Sequence, residues 1–303
     1  MTPENREARM LHFVRGPVVV VSFVASLVFA APTLVLAKAA PSPPLPHKDI
    51  SIADCHVGIG RSFKLGTWTP VWVEIECGPQ AIAGTLEVVA PDDDNLPTMV
   101  SRPVRLAANQ TTTALVYTKV GRPEATISVR FLVNDIIQTE ARFPIAAART
   151  DDNAPPVLPA GSELIAAVGT VDFGLAEALA RGRVRNGHTV VTSIDVIDRL
   201  PDRWYGYESV DRLVLSVNTG DEFCRVKADD PRMVALRRWV ELGGKLTLVC
   251  GSAAEQALAP EGAWASLAPG RFVETVPLDR TSAIEQFAGA EKPLEFSPQW
   301  PKL

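Results

Sequence analysis

Val71-Trp72-Val73-Glu74-Ile75-Glu76-Cys77 sets an apolar residue at every odd position and a carboxylate at two of the three even ones. A period of two sends alternate side chains to opposite faces, so the stretch predicts a strand with one face in a core and the other in water. The same style continues outward, through the segment around Cys55 and then Gly84 to Ala90, Met99 to Leu106, Thr111 to Val120, Ala125 to Val133 and Ile136 to Phe143. Gly78-Pro79, Pro91-Asp92-Asp93-Asp94-Asn95 and Gly121-Arg122-Pro123 supply the turns. About seven short strands in roughly a hundred residues, with no helical stretch among them, predict an immunoglobulin-like β-sandwich over residues 49–147.

Residues 148–162, with Asp151-Asp152-Asn153 and three prolines, read as a linker, and the period changes after them. Leu164-Ile165-Ala166-Ala167-Val168 is a continuous apolar run, as a strand covered on both faces requires. Phe173 to Arg181 reads as a helix, Thr189 to Ile194 and Arg212 to Val217 as strands. The clearest helix follows: Asp230 caps it, Pro231 fits its first turn, Met233, Leu236, Trp239 and Val240 form its apolar stripe, and Gly243-Gly244 ends it. Lys245 to Cys250 is a further strand, Ala253 to Leu258 a short helix, Arg271 to Val276 one more strand and Ser282 to Phe287 a last helix. Strands alternating with helices predict a three-layer α/β domain over 163–303 with a mainly parallel sheet. The expected fold class is thus multidomain, β followed by α/β.

Arg6, Arg9 and Arg15 precede an apolar run from Val18 to Ala37, the order of a signal peptide. Ala37 and Ala39 fit cleavage before Ala40, and the run is also long enough to remain as a membrane anchor. Residues 1–39 are therefore expected to direct export, with 40–48 an Ala/Pro/Ser spacer and the bulk periplasmic or anchored outside the cytoplasmic membrane. A net charge of -5 gives no electrostatic footprint for nucleic acid, and membrane association is expected only through the N-terminal segment. In an exported chain the four cysteines meet conditions in which disulfides persist. Cys55 and Cys77, in neighbouring predicted strands, are either a bridge or two small buried residues.

Cys250 lies in Leu248-Val249-Cys250-Gly251-Ser252-Ala253, where a strand turns into a helix, the setting of a nucleophile elbow. Such a thiol needs a base. Of His47, His56 and His188, none follows Cys250, so a residue packed at a strand end is the simpler reading. Gly169-Thr170-Val171-Asp172-Phe173-Gly174 lacks the spacing of a dinucleotide loop and reads as an ordinary strand-to-helix turn. Asp92-Asp93-Asp94-Asn95 gathers carboxylates without the spacing of a calcium loop, and Asn109-Gln110-Thr111 is a bare sequon. No cofactor or metal site is expected. Trp204, Tyr205 and Tyr207 group three rings in one connection, either anchoring a partner or packing the crossover onto the sheet.

Gly60-Arg61-Ser62-Phe63-Lys64-Leu65-Gly66-Thr67-Trp68-Thr69-Pro70 and Leu200-Pro201-Asp202-Arg203-Trp204-Tyr205-Gly206-Tyr207 with Val210-Asp211 resemble uncharacterised exported proteins of planctomycete-type bacteria. Val234-Ala235-Leu236-Arg237-Arg238-Trp239-Val240 and Gly243-Gly244-Lys245-Leu246 resemble the class I glutamine amidotransferase-like domain of those proteins. The resemblance implies a β-sandwich joined to a flavodoxin/amidotransferase-like sheet. It also implies a chain that continues further in longer relatives. Amidotransferases of this class have glycine on both sides of the elbow cysteine and a later His-x-Glu pair, whereas Val249 precedes Cys250 and no histidine follows it. The expected function is a non-catalytic envelope module that binds a protein or small ligand. The alternatives are a cysteine hydrolase or amidase using Cys250, and a purely structural exported module.

Overall fold

The computed structural model describes residues 49–145, 157–169, 189–218, 222–274 and 281–289, together with Gly174, Leu175, Glu177, Lys292 and Pro293. Every described residue belongs to one compact unit, Pro44–Leu303. The expected signal segment, the spacer and most of the helix expected over Phe173–Arg181 lie outside the described residues. Among the described residues, no helix is long and apolar enough to cross a membrane.

The seven strands read from alternation all form, as β1 (Ile50–Val57), β3 (Trp68–Cys77), β4 (Ile82–Pro91), β5 (Pro97–Leu106), β6 (Thr111–Lys119), β7 (Thr126–Val133) and β8 (Ile136–Pro144), and a two-residue strand outside that pattern, β2 (Phe63–Lys64), lies between the first two. They make two antiparallel sheets, β1-β3-β6 and β5-β4-β7-β8, and the short β2 pairs in parallel with β9 (Val157–Leu158). Val71, Val73 and Ile75 of β3 are fully buried with Leu86, Val88, Ile127, Val129 and Phe131 from the other sheet, in one core between the two. Burying each such side chain contributes about 1.5–3 kcal/mol. A two-residue turn, Asn134-Asp135 at φ 50 and 63, closes the β7–β8 hairpin; positive φ at both positions matches the twist of the strands it joins.

The second half carries β10 (Glu163–Val168), β11 (Thr189–Ile194), β12 (Arg212–Ser216) and β13 (Lys245–Val249), parallel in the order β11-β10-β12-β13. Its described helices are α1 (Glu222–Arg225), α2 (Pro231–Glu241), α3 (Ala254–Ala257) and α4 (Ser282–Ala288). Helix α2 starts as its sequence requires, with Asp230 accepting from the Arg232 backbone N–H at 2.9 Å and Pro231 in the first turn. Beyond its end, Gly244 is needed for space, since an added Cβ would lie 2.3 Å from the Trp239 ring. Met233, Leu236 and Trp239 pack in the same core as Leu164, Ala166 and Val168. Trp264 closes that core, its indole N–H donating to the Phe223 carbonyl at 2.8 Å.

Two expectations are corrected. Arg271–Glu274 forms no strand, and the rest of the expected strand, 275–276, lies outside the described residues. The apolar run of β10 is not equally buried on its two faces: Leu164, Ala166 and Val168 are buried, while Glu163, Ile165 and Ala167 are only half-buried. The run is continuous because Ile165 and Ala167 are apolar without being in the core shared with α2.

Candidate functional site

Cys250 sits where predicted, between β13 and a 3-10 turn at Gly251–Ala253. Its backbone is relaxed, at φ -100 and ψ -20, not the strained turn that holds a nucleophile above a sheet. The side chain is buried in the α/β core, and burial, with Cys224 as a lesser cause, raises its thiol above the usual range. A raised thiol stays protonated and unreactive at neutral pH. His56, the one histidine among the described residues, lies on β1 in the sandwich.

All four cysteines are thiols. A Cys55–Cys77 bridge is ruled out by register, because Cys77 pairs with Ile50 while Cys55 pairs with Val73 at the other end of the ladder. Five residues of strand separate the two by about 16 Å, far beyond the roughly 7 Å limit between bridged Cα atoms. Burial pushes the Cys55 thiol up to about 12.

The aromatic connection divides its work. Tyr207 is fully buried beneath α2, with its ring 5.5 Å from that of Trp239, so it offers no partner a surface. Tyr205 lies edge-on to Tyr117 of β6 at 5.0 Å and tilted against Trp68 of β3 at 5.6 Å. Trp204 alone of the three is exposed, at 46%. The 3-10 turn Trp204–Tyr207 is therefore chiefly a joint that fastens the α/β half to the outer face of the β1-β3-β6 sheet. Gly206 makes the close approach possible, because an added Cβ would stand 2.6 Å from both Pro201 and Tyr117.

Polar bonds surround this joint. The Tyr117 hydroxyl donates to Asp202 at 2.7 Å and accepts from the Asp202 backbone N–H at 2.9 Å. The Trp68 N–H donates to Glu208 at 2.7 Å, Arg199 pairs with Glu74 at 2.7 Å, and Thr192 Oγ1 donates to the Gly60 carbonyl at 2.7 Å. Lys64 Nζ, nearly sealed from water, pairs with Asp211, whose Oδ2 also accepts from the Leu164 N–H at 2.7 Å. Beside Glu74, His56 Nε2 stands 3.0 Å from Asp54 and 3.8 Å from Glu74, with Arg61 3.3 Å away. Burial dominates the charges around His56 and lowers its pKa below the usual 6.5.

Between the two halves lies a cleft of about 630 Å³. Its sandwich wall is Trp72, Thr113 and Leu115 on the outer face of β3 and β6; Arg199, Glu222 and Arg232 stand on the other side. Arg232 is held twice, by Asp230 through Nε and Nη2 at 2.8 Å each and by Asp198 through Nη1. These bonds raise the Arg232 pKa and lower that of Asp230. Glu222 accepts from the Ile197 N–H. Two buried nitrogens on the cleft-lining residues have no hydrogen-bond partner among the described residues, Trp72 Nε1 and Arg199 Nη1. Sequence reading passed over these residues. The available signal was Trp72 itself, a large ring on the face assigned to water and in fact only 3% exposed.

The remaining candidates are ordinary structure. Asp92 Oδ1 accepts from the backbone N–H groups of Asp94 at 3.0 Å and Leu96 at 2.8 Å, so its carboxylate shapes the turn. Among the described residues, no group of three or more His, Cys, Asp or Glu side chains could hold a metal ion. Gly169, at φ 109, lets β10 end close to β12, where an added Cβ would meet the Ser216 carbonyl at 2.7 Å; residues 170–173 lie outside the described residues.

Residues 50–144, the span from β1 to β8, match the model of a domain of unknown function, DUF8726. No curated protein matches the chain. Among solved structures, the alkylpurine DNA glycosylase AlkC of Pseudomonas fluorescens is similar at 14% identity and a TM-score of 0.23, covering 32% of this chain and 30% of that one. A Paenibacillus cycloisomaltooligosaccharide glucanotransferase aligns at 9% identity and a TM-score of 0.22, over 54% of this chain and 20% of its own. A glycosyl hydrolase family 2 member from Bacteroides cellulosilyticus aligns at 14% identity and a TM-score of 0.24, over 68% and 37%. The chain thus spans well under two thirds of each of these proteins, and likeness at this level carries no functional argument.

Proposed function

We propose that this chain is an exported, non-catalytic binding module of the cell envelope, in which an immunoglobulin-like sandwich and a flavodoxin/amidotransferase-like α/β domain form a two-walled receptor for a small ligand or a protein. The observation that carries the reading is the cleft between the halves, walled by both and bordered by fixed polar bonds, while the one nucleophile candidate is a buried, protonated thiol. The sheet order β11-β10-β12-β13 supports the flavodoxin-like assignment, since it follows the 2-1-3-4 progression of doubly wound domains. In such sheets ligands bind outside the carboxyl ends of the strands. Arg199 follows the end of β11 and Glu222 the end of β12, and both line the cleft, which supports a ligand-binding role for it. Resemblance to planctomycete-type exported proteins with a degenerate amidotransferase-like domain accords with this reading.

Thiol alkylation followed by mass analysis tests it. Cys250 is expected to resist labelling in the native protein and to react once the protein is unfolded, and Cys250→Ser is expected to leave ligand binding unchanged. Rapid labelling of native Cys250, or turnover of an amide substrate lost in Cys250→Ser, would overturn the reading in favour of a cysteine hydrolase.

A further inference from the structure

We infer that the cleft between the sandwich and the α/β half binds a neutral, hydroxyl-rich ligand of mono- to disaccharide size, held by the indole N–H of Trp72 and the second guanidinium nitrogen of Arg199. The inference rests on the binding-module reading and gives it a site and a ligand class. Its first support is the pair of orphaned donors: Trp72 Nε1 and Arg199 Nη1 are both buried and have no partner among the described residues, and both residues line this one cleft. Buried polar groups are almost always bonded, so two orphaned donors on residues that line one cleft point to an acceptor that arrives from outside the chain.

Charge narrows the class. The cleft is lined by Arg199 and Arg232 against Asp198, Asp202, Glu222 and Asp230, and each guanidinium is already paired with a carboxylate. No excess positive charge draws an anion. A cation would meet acidic groups, but it would leave the two orphaned donors unanswered. A hydroxyl group both accepts and donates. Vicinal hydroxyls would accept from Trp72 and Arg199 while donating to neighbouring carboxylates such as Glu222, of which one oxygen is committed to the Ile197 N–H. The volume of about 630 Å³ falls within the span usual for small-molecule sites.

The test uses protein with nitrogen-labelled tryptophan and follows the Trp72 indole signal in proton–nitrogen correlation spectra, assigned by its loss in Trp72→Phe. The probes are glucose, N-acetylglucosamine, cellobiose and trehalose, with glucose 6-phosphate and spermidine as charged comparators. At least one neutral sugar is expected to shift the Trp72 signal saturably and more tightly than either comparator. Arg199→Lys, which keeps a cation for Glu74 but loses the second donor, is expected to weaken that sugar roughly tenfold. Should Arg199→Lys fail to fold, Trp72→Phe replaces it in uniformly nitrogen-labelled protein, read at the Thr113 amide, with the same weakening expected. The inference is overturned if no neutral sugar shifts the signal, if a charged comparator binds more tightly, or if the variant binds as the parent does. Those outcomes leave the broader reading standing wherever native Cys250 remains unreactive, so the two failures are told apart by the thiol.

Discussion

Breaking the Lys64–Asp211 pair from either side should cost different amounts, because the two partners are unequally buried. The Lys64 side chain is 8% exposed and that of Asp211 38%. Asp211→Asn removes the charge that compensates a nearly sealed ammonium, and loss of one partner of a buried pair costs about 3–5 kcal/mol. Lys64→Met leaves a carboxylate that water reaches and that still accepts from the Leu164 N–H, so the expected loss is smaller, about 1–3 kcal/mol. The assay is urea unfolding followed by tryptophan fluorescence and by far-ultraviolet circular dichroism. With m of about 2–3 kcal/mol/M, Asp211→Asn should lower the midpoint by more than roughly 1 M, and Lys64→Met by less. Because the pair joins the two halves, the two signals are expected to coincide in the parent and to separate in Asp211→Asn. Equal losses below about 0.5 kcal/mol, or the larger loss in Lys64→Met, would refute the argument from unequal burial.

Gly60→Ala should loosen the same junction by a steric route: at φ 54 the added Cβ would lie 2.0 Å from Thr192 Oγ1, with a cost of about 2–4 kcal/mol in urea unfolding; a change under about 0.5 kcal/mol would count against the docking geometry. His56 gives a pH signature. Its pKa is lowered in the folded state, chiefly by burial and to a lesser extent by Arg61 and Arg199, against the pull of Asp54 and Glu74. The unfolded chain therefore takes up the proton first, so this contribution to stability is fully present above the ordinary value of 6.5 and is lost as pH falls below it. Unfolding midpoints at about pH 7.5 and about pH 5.5 should differ more in the parent than in His56→Gln; the same slope in both would remove His56 as the source.

Much of the fold was legible because burial writes a period into the sequence. Val71, Val73 and Ile75 alternate with Trp72, Glu74 and Glu76, and all three are fully buried on the inner face of β3. Asp230 and Pro231 announced α2, since a helix start needs a side-chain acceptor and tolerates a missing N–H. Alternation does not say what covers the other face. Glu74 and Trp72 share the outer face of β3, and both contact or line what the α/β half brings to it, Arg199 and the cleft. The Cys55–Cys77 pairing failed for a related reason: adjacency of strands was legible, but the register that sets the cysteines at opposite ends of the ladder was not.

The site was the least legible part because it belongs to neither half alone. Trp72, Thr113 and Leu115 face the cleft only because β3 and β6 pair in a register that sets Trp72 opposite Leu115 and Glu74 opposite Thr113. Arg199 reaches Glu74 only because the connection after β11 lies across that sheet, pinned by Tyr117 to Asp202 and by Trp68 to Glu208. Residues 85 to 140 positions apart are brought together by docking bonds rather than by a motif, so no local pattern marks them. It follows that the integrity of the cleft and the stability of the junction are one property. A variant that separates the halves, such as Asp211→Asn, should abolish ligand binding without touching any residue that lines the cleft. Binding that survived such a separation would place the ligand on one half alone.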